Sequence, residues 1–215
     1  MRYRLFATFA LSIAIASLPS IGTAAVRGEI TVDLNTGTVI AAKNAGAHNP
    51  PASLAKVMTL YLLLEAVAKQ TFDMGTPLPV SAFAAGQPAT RLGLKTGQFI
   101  TVREAAETLL VRSANDVAVV IAEALSTSEA AFVQYMNGRA QQLGLTRTQF
   151  GNASGLPHKR AHTTARDLAL LTTALYRRFP GHADLFKITH TTFGDRQIRS
   201  HNGFVRNYPG ALGLK

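Results

Sequence analysis

The chain has 215 residues and no cysteine, so it can form neither a disulfide framework nor a thiolate metal site. Its formal net charge is +10, or about +8 with Arg2 and Arg4 set aside, which suits an anionic wall or membrane surface. Aromatics are few, at 7%, and Arg177-Arg178 is only a pair at a helix end, where basic charge is favourable anyway; nucleic acid is excluded as a partner.

In chain order, Arg2 and Arg4 open a basic start, Leu5 to Leu18 an apolar run, and Gly22-Thr23-Ala24-Ala25 a small-residue cleavage site. This pattern predicts an export signal over residues 1–25, with an apolar run too short to span a membrane. Residues 26–215, about 190 in number, then form one domain in the periplasm or cell envelope. Glu29 to Val32 and Thr38 to Ala42 read as strands. Pro50-Pro51 sets the approach to a mostly apolar helix from Ser53 to about Lys69.

Ser53-Leu54-Ala55-Lys56 opens that helix. Residues three apart share a helix face, so Lys56 stands beside the Ser53 hydroxyl. A serine hydroxyl needs a base, an amine is a base only when neutral, and apolar neighbours favour the neutral form. Taken alone, the same four residues read first as a Ser cap and a solvated Lys.

Thr101-Val102-Arg103-Glu104 is a capping box, and a helix follows to about Val111. Ser113-Ala114-Asn115 falls in a break before a second apolar helix, Asp116 to Leu125. A hydroxyl and a carboxamide there can relay protons and hold a substrate amide; by itself the tripeptide reads as a turn. Thr164, with Asp167 three residues on, caps a helix that starts at Ala165. Strand signals return at Phe186 to Phe193 and at Gln197 to His201. No linker or repeat divides the chain after residue 25, so the strands of both chain ends predict one antiparallel sheet with a helical block inserted between them, an α+β fold.

Three features read as structural. Lys95-Thr96-Gly97 precedes the capped helix and is a turn. His158 and His162 have ligand-like spacing but no acidic partner, so no metal site and no cofactor are expected. His201 reads as a surface strand residue, with a supporting place beside the site as the alternative.

Together, Ser53-x-x-Lys56 and Ser113-x-Asn115 resemble the penicillin-binding protein and serine β-lactamase superfamily, and more narrowly its low-molecular-weight serine D-alanyl-D-alanine carboxypeptidases. The likeness extends to Asp33 to Ile40, to Asn49 to Thr59, to Phe150-Gly151-Asn152-Ala153-Ser154-Gly155-Leu156-Pro157 and to His162 to Ala169. It continues through Ser200-His201-Asn202 and Tyr208 to Lys215, and so covers nearly all of residues 26–215.

The resemblance implies a β-lactamase/transpeptidase-like fold. It makes Ser53 the nucleophile, Lys56 the general base, and Ser113 and Asn115 the second catalytic element. Lys215 would grip the substrate carboxylate as the Lys of a Lys-Thr-Gly motif. One oxyanion amide would come from Ser53 and the other from beyond that motif, and loss of one such donor costs ~10²–10³ in turnover. Thr and Gly do not follow Lys215, so the chain is expected to be incomplete at the third motif, to lack C-terminal strands and to be inactive as it stands. Leu54, Val57 and Tyr61 would then lose part of their cover. The implied activity is release of terminal D-alanine from peptidoglycan stem peptides through an acyl-serine, with β-lactams as inhibitors. A DD-endopeptidase and a non-catalytic fragment are the alternatives. Neither Glu123 nor Glu129 has the Asn four residues later that class A β-lactamases use to drive water.

Overall fold

A computed structural model describes residues 28–214. The export-signal expectation for residues 1–25 and the assignment of Lys215 lie outside the described residues.

The chain opens with an antiparallel hairpin, β1 (Glu29–Val32) and β2 (Val39–Lys43), paired from Glu29↔Lys43 to Val32↔Val39. Asp33 closes its turn by accepting from the backbone N–H groups of Asn35 and Thr36. A 3-10 turn, Ala52–Leu54, leads straight into helix α1 (Ala55–Ala68). Then come β3 (Pro77–Pro79), the short helix α2 (Ala82–Ala85), β4 (Phe99–Thr101) and α3 (Val102–Arg112). Helices α4 (Asn115–Leu125), α5 (Glu129–Gln142) and α6 (Ala165–Arg178) complete the helical block. A 3-10 run, Pro180–Lys187, precedes β5 (His190–Phe193), β6 (Arg196–Arg199) and α7 (Gly203–Asn207).

The caps are those the sequence predicts. Thr101 and Glu104 make a reciprocal capping box at α3, and Thr164 Oγ1 accepts from the Asp167 N–H at α6. Helices α1 and α4 form the centre. Both are apolar around almost their whole circumference, the pattern of helices covered on every side. α4 packs against α1, α2, α3, α5 and β3.

Two expectations change. Among the described residues the strands form three separate two-stranded antiparallel ladders, β1–β2, β3–β4 and β5–β6, not one hydrogen-bonded sheet. The two end ladders are seated on different helices: β1 packs on α6, whereas β5 and β6 pack on α3. The strand expected from Phe186 starts only at His190, because Leu185 and Phe186 are buried in the 3-10 run and Phe186 meets the Tyr176 ring edge-on at 4.6 Å. The α+β class stands.

The expected loss of cover is not seen on α1 itself, and of the three side chains only Leu54, in the preceding 3-10 turn, is exposed. Leu54 is 39% exposed, but Val57 is 4% and Tyr61 2% exposed, the latter packed edge-on against Phe179. Arg177 also does more than suit a helix end. Its guanidinium donates to the carbonyls of Leu34 and Asn35 and ties the β1–β2 turn to α6.

Candidate active site

Ser53 lies in the 3-10 turn, between Ala52, in the left-handed region at φ 45°, and Leu54. No side chain caps either the 3-10 turn or α1, so Ser53 is not a helix cap. Its position is set by contact with a distant loop. Gly155 has φ 80°, and a Cβ there would stand 1.7 Å from the Ala52 carbonyl oxygen, so only glycine fits against the Ser53 turn. Asn152 shapes that loop. Its Oδ1 accepts from the N–H groups of Gly155 at 2.6 Å and Leu156 at 3.0 Å, and its Nδ2 donates to the Leu156 carbonyl. Thr59 Oγ1 donates to the Ala153 carbonyl at 2.7 Å, and Glu129 accepts from the Ala153 N–H. The stretch from Phe150 to Pro157 therefore braces α1 from outside.

Lys56 is not a solvated helix residue. It is 3% exposed, and its Nζ donates to Asn115 Oδ1 at 2.8 Å and to the Ser154 carbonyl at 2.6 Å. Asn115, at the start of α4, is oriented by three partners. Its Oδ1 faces Lys56, its Nδ2 donates to the Pro88 carbonyl at 3.0 Å, and its backbone N–H donates to the Thr90 carbonyl at 2.8 Å. Ser113 ends α3 in the left-handed conformation, φ 63° and ψ 35°, which turns the chain sharply between α3 and α4.

Asp116 fixes the wall facing this turn. Its carboxylate is fully buried and accepts from the N–H groups of Leu92, Gly93 and Leu94 at 2.8–3.1 Å. The loop that includes Thr90 is thus pinned to α4 from below. Ser53, Ser113, Thr90, Leu110, His201, Asn202 and Gly203 line one cavity of about 470 Å³, a size that suits a small substrate.

The structure therefore brings Ser53, Lys56, Ser113 and Asn115 to one place from the 3-10 turn, α1, the end of α3 and the start of α4. The expected turn at Lys95-Thr96-Gly97 is found: Gly97 has φ 80°, its N–H donates to the Val80 carbonyl, and the segment does not line the Ser53 cavity. His162 stacks on His48 at 4.7 Å, His158 lies over Gly151, and no metal-holding group of three side chains occurs among the described residues. His201, expected as a surface strand residue, instead follows the end of β6 and borders the cavity, with Nε2 3.2 Å from Arg112 Nη1.

Sequence reasoning missed Ser154, Asn152, Gly155 and Asp116 as positioning residues. The spacing Asn152-x-x-Gly155 is a turn signal that would have found two of them. Asp116 had no comparable signal, since the loop amides it pins lie at least 22 residues away.

Residues 15–215 match the family described as D-alanyl-D-alanine carboxypeptidase. The chain is similar to D-alanyl-D-alanine carboxypeptidase DacF of Bacillus subtilis, 30% identical over 194 residues, covering 88% of this chain and 50% of the relative. It is similar in structure to penicillin binding protein 5 from Haemophilus influenzae, with TM-score 0.79 and 26% identity over 84% of this chain and 53% of that one. A second likeness is to penicillin-binding protein D2 from Listeria monocytogenes in its cefotaxime-bound form, with TM-score 0.72 and 28% identity over 88% of this chain and 77% of that one. The chain spans about half the length of the curated relatives it matches, 45–50% for the first three.

Proposed function

This chain belongs to the D-alanyl-D-alanine carboxypeptidase family, and from that premise we propose that it carries the catalytic serine of a DD-carboxypeptidase acting on peptidoglycan stem peptides. The observation that carries the reading is the placement of Lys56. It is buried one turn from Ser53 and donates to two fixed neutral oxygens, Asn115 Oδ1 and the Ser154 carbonyl. A neutral amine has two N–H groups and one lone pair. The two acceptors engage the N–H groups, and the lone pair is the group that takes a proton from the serine.

Ser53 Oγ then attacks the carbonyl carbon of the penultimate D-alanine. The C–N bond to the terminal D-alanine breaks, and the proton first held by Lys56 reaches the departing amine, with the Ser113 hydroxyl as relay. Water cleaves the acyl-serine and restores the enzyme. Asn115 holds Lys56 in place. Lys215 is assigned to the substrate carboxylate on the resemblance alone. β-Lactams, whose strained amide presents the same carbonyl, acylate the same serine. Export by residues 1–25 and work in the periplasm or cell envelope complete the reading, supported by the basic, apolar and small-residue order of that segment.

The test is D-alanine release from a pentapeptide ending in D-alanyl-D-alanine, by the full encoded protein, beside cleavage of a cross-linked dimer. The proposal expects release that Ser53→Ala abolishes. Cleavage of the dimer without release of terminal D-alanine would replace it with an endopeptidase.

A further inference from the structure

We propose that the arginine-lined groove beside the Ser53 cavity is an anion subsite that takes the side carboxylates of a stem peptide whose scissile end lies at Ser53. It rests on the reading above and extends it to substrate selection. The groove, of about 720 Å³, is lined by Arg91, Arg112, Arg196, Arg199 and Arg206. It shares His201 with the Ser53 cavity, and Arg91 and Arg112 directly adjoin Thr90 and Ser113, which line that cavity. The two spaces therefore border one another. Arg112 comes from the end of α3, Arg196 and Arg199 from β6, Arg206 from α7, and Arg91 from the loop pinned by Asp116, so the cluster is assembled by the fold and not by a local run.

These arginines lack the compensation that surface arginines usually find. Among the described residues no carboxylate pairs with any of the five. Arg196 Nη2 donates to the Leu92 carbonyl at 2.9 Å, and Arg112 Nη1 lies 3.2 Å from His201 Nε2, which holds both guanidinium groups at the rim. Arg206 Nε is buried and has no hydrogen-bond partner. Asp195 and Glu104 line the next groove, across Arg196, without bonding to it. Five like charges facing one space repel, and a buried N–H without a partner is costly; an anion relieves both. Guanidinium groups match carboxylates in a two-point fork and stay charged across the usable pH range. A stem peptide bound with its terminal D-alanine at Ser53 carries free carboxylates on its acidic residues upstream, within reach of an adjoining groove.

The experiment uses the full encoded protein carrying Ser53→Ala, which binds without turnover. Calorimetric affinities are compared for a stem pentapeptide with free side carboxylates and for the same peptide with those carboxylates amidated, the terminal carboxylate being free in both. The proposal expects the free acid to bind ~10-fold tighter or more, with the preference lost in Arg199→Gln/Arg206→Gln and affinity for the amidated peptide kept. Arg199→Gln alone, at an exposed position, gives a partial loss and covers a folding failure of the double variant. Equal binding of the two peptides, or a preference that survives both variants, overturns the subsite and leaves the carboxypeptidase reading standing. Binding of neither peptide overturns both. Displacement of the free acid by inorganic phosphate or anionic vesicles at matched charge as readily as by the peptide itself overturns it in favour of a general anion patch.

Discussion

Lys56 and Glu65 are both buried on helix α1, and they are held in opposite ways. Glu65, 1% exposed, accepts from the Tyr135 hydroxyl at 2.9 Å and from Arg139 Nη2 at 2.6 Å, with Lys69 at 3.3 Å and Arg178 at 3.8 Å. Burial pushes the Glu65 carboxyl up, but the Tyr135 hydroxyl, the Arg139 guanidinium and Lys69 outweigh it and hold the group below its ordinary value. Lys56 instead donates to the neutral oxygens of Asn115 and Ser154. Partners of opposite charge lock a group into one protonation state, whereas a hydrogen bond to a neutral oxygen fixes a side chain in place without adding charge. One end of α1 carries a buried ion-pair network and the other the hydrogen-bonded lysine of the candidate site.

That contrast predicts different losses. Lys56→Arg keeps the donors but remains charged at any usable pH, so acylation of Ser53 by a β-lactam is expected to fall by ~10³ or more. Stopped-flow acylation rates check this, and a rate within tenfold of the parent would erase the contrast. Glu65→Gln is expected to cost about 2 kcal/mol of stability in urea unfolding, because the partly buried Arg139 is left beside a neutral group. Acylation of the folded fraction stays within about threefold.

Gly155→Ala joins the two regions. Its Cβ meets the Ala52 carbonyl, so the Ser53 turn must shift; a loss of about 2 kcal/mol is expected together with slower acylation. Loss of stability without slower acylation would show that the Ser53 turn does not depend on this loop.

The effect of pH is smaller and has a defined sign. Glu65 titrates below its ordinary value of 4.5 in the folded chain, so its contribution is complete above that pH and is lost as pH falls through the lower folded value. Melting temperature in the acid range should therefore fall more steeply for the parent than for Glu65→Gln. Arg177→Ala, which frees the β1–β2 turn from α6, should cost about 1 kcal/mol and leave acylation unchanged.

The parts legible in the sequence are those written in local patterns. The caps at Thr101 and Thr164, the break at Ser113 and the apolar helices α1 and α4 follow from residues a few positions apart. So does the Ser53–Lys56 pair, once Ser113 and Asn115 accompany it. What was not legible depends on contacts between distant segments. The Ser154 carbonyl reaches Lys56 across 98 residues, and Asp116 pins amides 22–24 residues before it. Main-chain donors and acceptors leave no trace in residue identity. The separation of the two end ladders was hidden for the same reason, since helix packing decides where each hairpin sits.

The central claim is that Ser53 is the nucleophile served by Lys56, and peptide mapping by mass spectrometry after exposure to a β-lactam tests it most directly. The full encoded protein should carry one covalent adduct, on the peptide containing Ser53, and Ser53→Ala should carry none. An adduct on another residue, or labelling that survives Ser53→Ala, would contradict the account.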